Sequence, residues 1–358
     1  MREDTIRFGR SQHLVGTITH PADAAAADQA RIVVLLTNAG FISRIGPRRI
    51  NVRIAHRLAR LGIASLRWDL SGLGDSSRPA GDGAAGEQFV RDTVDAMEEA
   101  SALTGAGAFV MIGFCSGAQV AFRTALRDDR LLGLVLFDHF KFPTLKSKAR
   151  WALRRLKAAG LRGFLPAIAS GVRRRIASLR ERLRQGRART MHNAELADPT
   201  LEEYASLVQS LVGRGVRLFF VYSGGFPRVF NYARQFDDLY ARFGIPARVT
   251  STFLPNTDHL VTSAAEQGRL IDLIVSWVDT TASGLSAEAG AGGRSAADQL
   301  EGRLESRRED RLEDRGEDQG EDRGEDRGEE EIGDLADSQV RAADAGGRYR
   351  TALTPSPT

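Results

Sequence analysis

The chain carries one cysteine in 358 residues. A single thiol cannot close an intramolecular disulfide, so its cysteine usage gives no sign of an oxidising compartment. It also lacks any apolar run near the roughly 20 residues that a membrane-spanning helix needs. Met1-Arg2-Glu3-Asp4-Thr5 leads into alternation and not into the apolar core of a signal peptide. The expectation is a soluble cytoplasmic protein. There is no G-x-x-x-x-G-K-[ST] segment, Gly72-Leu73-Gly74 lacks the remaining glycine of a dinucleotide fingerprint, and no His/Cys/Asp cluster has metal-ligand spacing. No cofactor, metal or nucleic-acid partner is therefore expected. Acids are scarce from Lys141 to Thr190, where Glu181 is the only one, so the mild net charge of +4 hides a strong separation along the chain.

Apolar residues, at 42%, suffice for a sizeable core. Thr5 to Phe8 and His13 to Thr19 alternate around a turn and predict a hairpin at a sheet edge. Arg31 to Thr37, Ile63 to Leu66, Ala108 to Ile112, Leu131 to Phe137, Arg217 to Tyr222 and Ala247 to Leu254 read as strands, several continuously apolar as strands covered on both faces are. Between them, Ile50 to Leu61, Gln88 to Ala102, Ser116 to Leu126, Leu201 to Val212 and Tyr232 to Phe243 have helical periodicity, and Leu270, Leu273, Ile274 and Trp277 mark a last helix. Alternation of this kind predicts a mostly parallel α/β sheet, with reactive loops at the carboxyl ends of its strands.

Two stretches break the alternation. Residues 141–195 hold two or more amphipathic helices with densely basic polar faces, which predicts a helical cap inserted between strands. Such a charge run serves as a solvated helix face, or as a contact for an anionic membrane surface or an acidic substrate group. Residues 281–358 include a low-complexity tract, Glu301 to Glu330, in which Glu-Asp-Arg-Gly recurs every four residues. A period of four with glycine in each repeat cannot present a core, so a disordered tail is expected after a folded part ending near residue 280.

The chemical centre of the sequence is Gly113-Phe114-Cys115-Ser116-Gly117, placed between an apolar strand run and a helical one. This is a nucleophile elbow, G-x-C-x-G, with cysteine in the central position. The glycines allow a sharp strand-to-helix turn that thrusts the middle side chain outward. At a helix N-terminus and near an imidazole, Cys115 would be shifted toward thiolate. Ser116 stands one place later, where the backbone N–H matters and the side chain does not.

GFCSGA at Gly113 to Ala118, DLSGLGDS at Asp69 to Ser76, NAGF at Asn38 to Phe41 and TDHL at Thr257 to Leu260 occur in the order and spacing of the α/β-hydrolase superfamily, which the chain resembles over roughly residues 5 to 280. With Gly46-Pro47-Arg48-Arg49, it is also similar to bacterial serine-aminopeptidase-like hydrolases and to hydrolases associated with exosortase systems. The resemblance implies an α/β-hydrolase fold and the chain order nucleophile, acid, histidine. His259 is then the base, while His192 reads as a surface residue and His139 as structural. The superfamily usually places its acid after the strand that here is RLFFVY, but Ser223-Gly224-Gly225-Phe226-Pro227 carries no carboxylate. Some members supply it after the preceding strand, which points to Asp138; Asp237 and Asp238 are the next candidates, and Asp258 a poor one. The oxyanion hole would use the N–H of Ser116 and that of Phe41 or Gly40. Asp69, Asp75 and Ser76 read as loop-building residues.

These residues predict an enzyme that attacks the ester or thioester carbonyl of a small acyl substrate through Cys115 and a covalent acyl intermediate. Acyl transfer to another acceptor and a non-catalytic binding protein are the alternatives.

Overall fold

The structure, a computed structural model, describes residues 1–21, 32–79, 85–158 and 199–291. Eight strands form one sheet: β1 (Glu3–Phe8), β2 (Leu14–Thr19), β3 (Ile32–Leu36), β4 (Ala64–Trp68), β5 (Ala108–Phe114), β6 (Leu131–Phe137), β7 (Arg217–Ser223) and β8 (Thr250–Leu254). Their order is β1-β2-β4-β3-β5-β6-β7-β8. β1 and β2 pair antiparallel and β2 joins β4 antiparallel, whereas β3 to β8 run parallel. The alternating hairpin thus lies at an edge and the continuously apolar runs lie inside.

Among the described residues, besides the helical positions 145–158, α1 (Ile50–Arg60), α2 (Ala85–Thr104), α3 (Ser116–Ala125), α4 (Leu201–Gly213) and α5 (Gln235–Tyr240) lie between strands, and α6 (Ala264–Ala291) follows β8. Side chains of one strand alternate between two apolar cores. In β3, Val33 and Leu35 meet residues of α2 to α5, while Ile32, Val34 and Leu36 meet those of α1 and α6. Covering both faces explains why β3, β6 and β7 carry no polar alternation. α4 starts where its sequence specifies: Thr200 accepts from the Glu203 N–H and the Glu203 carboxylate accepts from the Thr200 N–H.

Some boundaries differ from expectation. β8 begins at Thr250 and not at Ala247, because Arg248 N–H turns back to the Ile245 carbonyl. α6 runs to Ala291, past the expected end of the folded part near residue 280. Its later turns still serve the core, since Thr281 is buried and Ala282 and Leu285 pack against the α1/α6 core. The tail from residue 292 onward lies outside the described residues. So does most of the inserted segment; of residues 141–195, positions 145–158 are helical and residues 159–195 are not described. No helix among the described residues is long and apolar enough to cross a membrane.

At the carboxyl edge, the turn after β4 is built on Asp69, whose side chain is fully buried. It accepts from Asn38 Nδ2 (3.1 Å), Arg44 N (2.6 Å), Arg44 Nη1 (2.5 Å) and Asp75 N (3.1 Å). Ser76 Oγ donates to the Asp69 carbonyl and accepts from Val15 N–H, which ties the same turn to β2. The loop after β3 is thereby fastened to the loop after β4 by a desolvated ion pair. Leaving one side of a buried pair uncompensated costs about 3–5 kcal/mol, but Arg44 Nη1 also reaches the exposed Asp75 carboxylate at 2.6 Å, so the loss here is smaller. Asp69→Asn keeps the shape and removes the charge, so its unfolding free energy in urea is expected to fall by about 2 kcal/mol; an unchanged denaturation midpoint would show that the pair contributes nothing net.

Candidate active site

β5 ends in the elbow. Cys115 has φ 56° and ψ −117°, a conformation that costs on the order of 1–3 kcal/mol and persists only where its surroundings impose it. Here they do: Cys115 N–H donates to Phe137 O of the neighbouring strand at 3.0 Å and Ala118 N–H donates to Cys115 O at 3.0 Å. The flanking glycines are required by close approach. A Cβ on Gly113 would lie 2.4 Å from Gly117 O, and one on Gly117 would lie 2.4 Å from Asn38 O. α3 therefore sits directly against the loop after β3, and any side chain at position 117 would force them apart.

Asp138 is the first residue after β6 and takes a left-handed backbone, φ 53°. Its buried carboxylate accepts from His259 Nδ1 (2.8 Å), Ser223 N (2.9 Å) and Ser223 Oγ (2.6 Å). His259 in turn hydrogen-bonds the Cys115 thiol. Residues 115, 138 and 259 thus form one thiol–imidazole–carboxylate chain at the carboxyl edge of the sheet. Phe226 stands edge-on to the His259 ring at 4.7 Å between centroids.

The other candidates lie elsewhere. Asp237 and Asp238 are in the first turn of α5, where Asp238 accepts from Tyr232 Oη at 2.8 Å. Asp258 accepts from the N–H groups of Leu260 and Thr262 and so closes the turn that follows β8. His139 is buried among Phe122, Phe140 and Tyr204, with Nδ1 2.6 Å from Tyr204 Oη; burial, with Lys141 nearby, pushes it down to about 3, so it is a neutral core residue. His192 lies outside the described residues.

The missing carboxylate after β7 has a physical explanation. A Cβ on Gly224 would lie 2.1 Å from Pro255 O and one on Gly225 2.7 Å from His259 N, so this turn is the floor on which the His259 loop rests. Ser223, at the end of β7, spends both its N–H and its hydroxyl on Asp138 of the adjacent strand. Nothing local in the sequence marks that serine, because its partner is 85 residues away.

On the other side of Cys115, the Ser116 hydroxyl accepts from Gly40 N–H at 2.8 Å. The side chain of Ser116, expected to be idle, anchors the loop after β3 against the elbow. It also occupies the Gly40 N–H, which leaves Phe41 N–H as the candidate second donor beside Ser116 N–H. Phe41 itself is 75% exposed. Asn38 steadies this loop from below, through Nδ2 to Ile42 O (3.0 Å) and Oδ1 from Leu70 N (2.7 Å).

The electrostatics favour a separated charge pair. Burial raises the Cys115 thiol, but the hydrogen bond and charge of His259, the Ser116 N–H and the charge of Lys141 outweigh it, and the thiol is held below its usual value. Burial lowers His259, and the bonds to Asp138 and Cys115 outweigh that, so the imidazole is raised to about 9. Both shifts favour the thiolate–imidazolium form of the pair. No motif in the sequence marks Lys141, a lysine four residues after a strand. Among the described residues, no group of three His, Cys, Asp or Glu side chains is placed to hold a metal ion.

Sheet order, elbow, late histidine and buried carboxylate together are those of an α/β-hydrolase fold. The family model described as serine aminopeptidase, S33, matches residues 34–189, from β3 through the elbow into the inserted segment. That family is named for serine, whereas here the central elbow residue is Cys115. No curated protein matches the chain. Similar solved structures include an esterase of Pyrococcus furiosus (13% identity, TM-score 0.48, covering 78% of this chain and 91% of that one). A proline iminopeptidase of Mycobacterium smegmatis is 16% identical, with TM-score 0.45 and coverage of 79% and 100%. An α/β serine hydrolase homologue from Coxiella burnetii is 14% identical, with TM-score 0.45 and coverage of 77% and 96%.

Proposed function

We propose that the protein hydrolyses an ester or thioester of a small acyl substrate, with Cys115 as nucleophile. The observation that carries this reading is the hydrogen-bonded chain from Cys115 through His259 to Asp138. The Cys115 thiolate forms a bond to the carbonyl carbon, and the resulting oxyanion lies against the N–H groups of Ser116 and Phe41. As the tetrahedral species collapses, the bond to the leaving group breaks and imidazolium gives that group its proton. The products of this half are an acyl thioester on Cys115 and neutral His259. Water then loses a proton to His259 and attacks the thioester; the thiolate departs, the carboxylic acid is released and the ion pair is restored. Asp138 holds the imidazole with Nε2 toward sulfur and stabilises its charged form.

Cysteine rather than serine favours activated acyl groups. The test is turnover of a matched acyl ester and acyl thioester, with and without an added amine or alcohol acceptor. Hydrolysis faster on the thioester is the expected result, and acyl product appearing on the acceptor at water's expense would reassign the protein as an acyltransferase. Absence of turnover, together with iodoacetamide alkylation of Cys115 no faster than that of a free thiol at neutral pH, would instead mark a non-catalytic binding protein.

A further inference from the structure

Lys141 is the one residue near the elbow whose arrangement is not accounted for by the acid–base chain. It follows β6 by four residues, at the root of the inserted segment. Its ammonium donates to the carbonyl of Asp138 at 2.6 Å and to that of His139 at 3.2 Å. It also lies 4.1 Å from the centroid of the Phe226 ring. The opposite contact of that ring is His259, 4.7 Å away and nearly perpendicular. A cation bound by two carbonyls and an aromatic face has replaced its water with fixed dipoles, so its charge and position are both well defined.

Two consequences meet in this one side chain. The first is mechanical: the Asp138 carbonyl belongs to a residue with a strained left-handed backbone, and clamping it fixes the direction in which the carboxylate points. The second is electrostatic: the positive charge of Lys141 is among the causes that hold the Cys115 thiol below its usual value. The charged and titratable groups facing Cys115 are His259, from the loop after β8, and Lys141, from the loop after β6, with Asp138 behind His259; α3 contributes no charged side chain in its first turn.

We propose that Lys141 is a positioning residue for the nucleophile: it clamps the Asp138 turn and holds beside the site a cation that favours the Cys115 thiolate. This goes beyond the hydrolytic reading and its test does not need a substrate. Because Cys115 is the only cysteine of the chain, the pH dependence of iodoacetamide alkylation of the full-length protein reports its thiolate alone.

Three variants separate the two roles. Lys141→Met removes the clamp and the charge, Lys141→Gln removes the charge but keeps an N–H donor for the carbonyls, and Lys141→Arg keeps both. In Met and Gln variants the midpoint of alkylation is expected to move up by about half a unit to one unit, while Arg stays near wild type. With a turned-over ester, kcat is expected to fall more for Met than for Gln with KM little changed, and the alkaline limb set by His259 near 9 is expected to stay in place. A Gln variant with native melting behaviour and an unmoved alkylation midpoint would overturn the proposal. Should Met fail to fold, Gln and Arg still decide it: equal midpoints in those two would overturn it, and a higher midpoint in Gln would support it. Loss of ester turnover with the alkylation pattern intact would instead count against the hydrolytic reading alone.

Discussion

Replacing Cys115 with alanine is expected to lower kcat/KM by about 10⁴ or more, because removal of the nucleophile leaves only substrate binding and the oxyanion donors. The fold should survive. Alanine at position 115 meets the same backbone strain as cysteine, and the N–H to Phe137 O is unaffected. Cys115→Ser is the more informative change. A hydroxyl does not ionise as a thiol does, so His259 loses the charge of Cys115 and with it part of what raises it to about 9. Serine must then be deprotonated during attack, with His259 as general base. Its partnership with Asp138 remains, so partial ester hydrolysis is expected, about 10²–10³ below wild type, with thioester turnover losing more. Wild-type activity in Cys115→Ala would assign the chemistry elsewhere.

The second large effect concerns Asp138. Asp138→Asn removes the charge that stabilises imidazolium while leaving an acceptor for the Ser223 N–H. In enzymes with a serine nucleophile such a change costs about 10⁴ in kcat. Here the expected loss is about 10- to 100-fold, because a thiol ionises more readily than a hydroxyl and needs less help from its base. The pH profile should change more visibly than the rate. In the wild type, activity is expected to rise as Cys115 ionises, at a pH below the ordinary thiol value, and to fall above about 9 as His259 loses the proton it must deliver. In Asp138→Asn the alkaline limb moves down toward the unperturbed imidazole range. Stability follows the same sign. A histidine whose folded value lies near 9 contributes stability that is fully present below about 6.5 and is lost as the pH rises through 9. A rate loss with no shift of the alkaline limb would mean that Asp138 acts on structure alone.

The parts of this molecule that could be read from sequence are those whose cause is local. LLGLVLF and RLFFVY announce buried strands because both faces of β6 and β7 are covered, so no polar alternation survives. Gly113 and Gly117 announce the elbow because no side chain fits between the turn and its neighbours. Asp138 was legible only as one of several carboxylates, since sequence cannot say which strand end faces His259. What escaped depends on residues brought together from a distance. Ser223 supports Asp138 across 85 residues, Arg44 closes on Asp69 across 25, and the Ser116 hydroxyl holds Gly40 across 76. The end of α6 was misplaced for a different reason: Thr280 to Leu285 are mostly small or polar, so their periodicity is weak although Thr281, Ala282 and Leu285 reach the core.

Ser223 and the glycines after it also clarify the departure from the usual acid position. The turn after β7 is filled by the loop that delivers His259, and the carboxylate comes from one strand further in, with Ser223 as its support. The thiol, the relocated carboxylate and the fixed charge of Lys141 are consistent with one another.

The central claim, that Cys115 becomes acylated during turnover, is tested most directly by trapping. The protein is mixed with an acyl thioester or activated ester, quenched in acid during the steady state, and weighed intact. The account predicts a species heavier by one acyl group, located on the peptide containing Cys115, and released by neutral hydroxylamine as a thioester is. Steady turnover with no such species on rapid quenching, or an acyl group on Ser116 that resists neutral hydroxylamine, would contradict it.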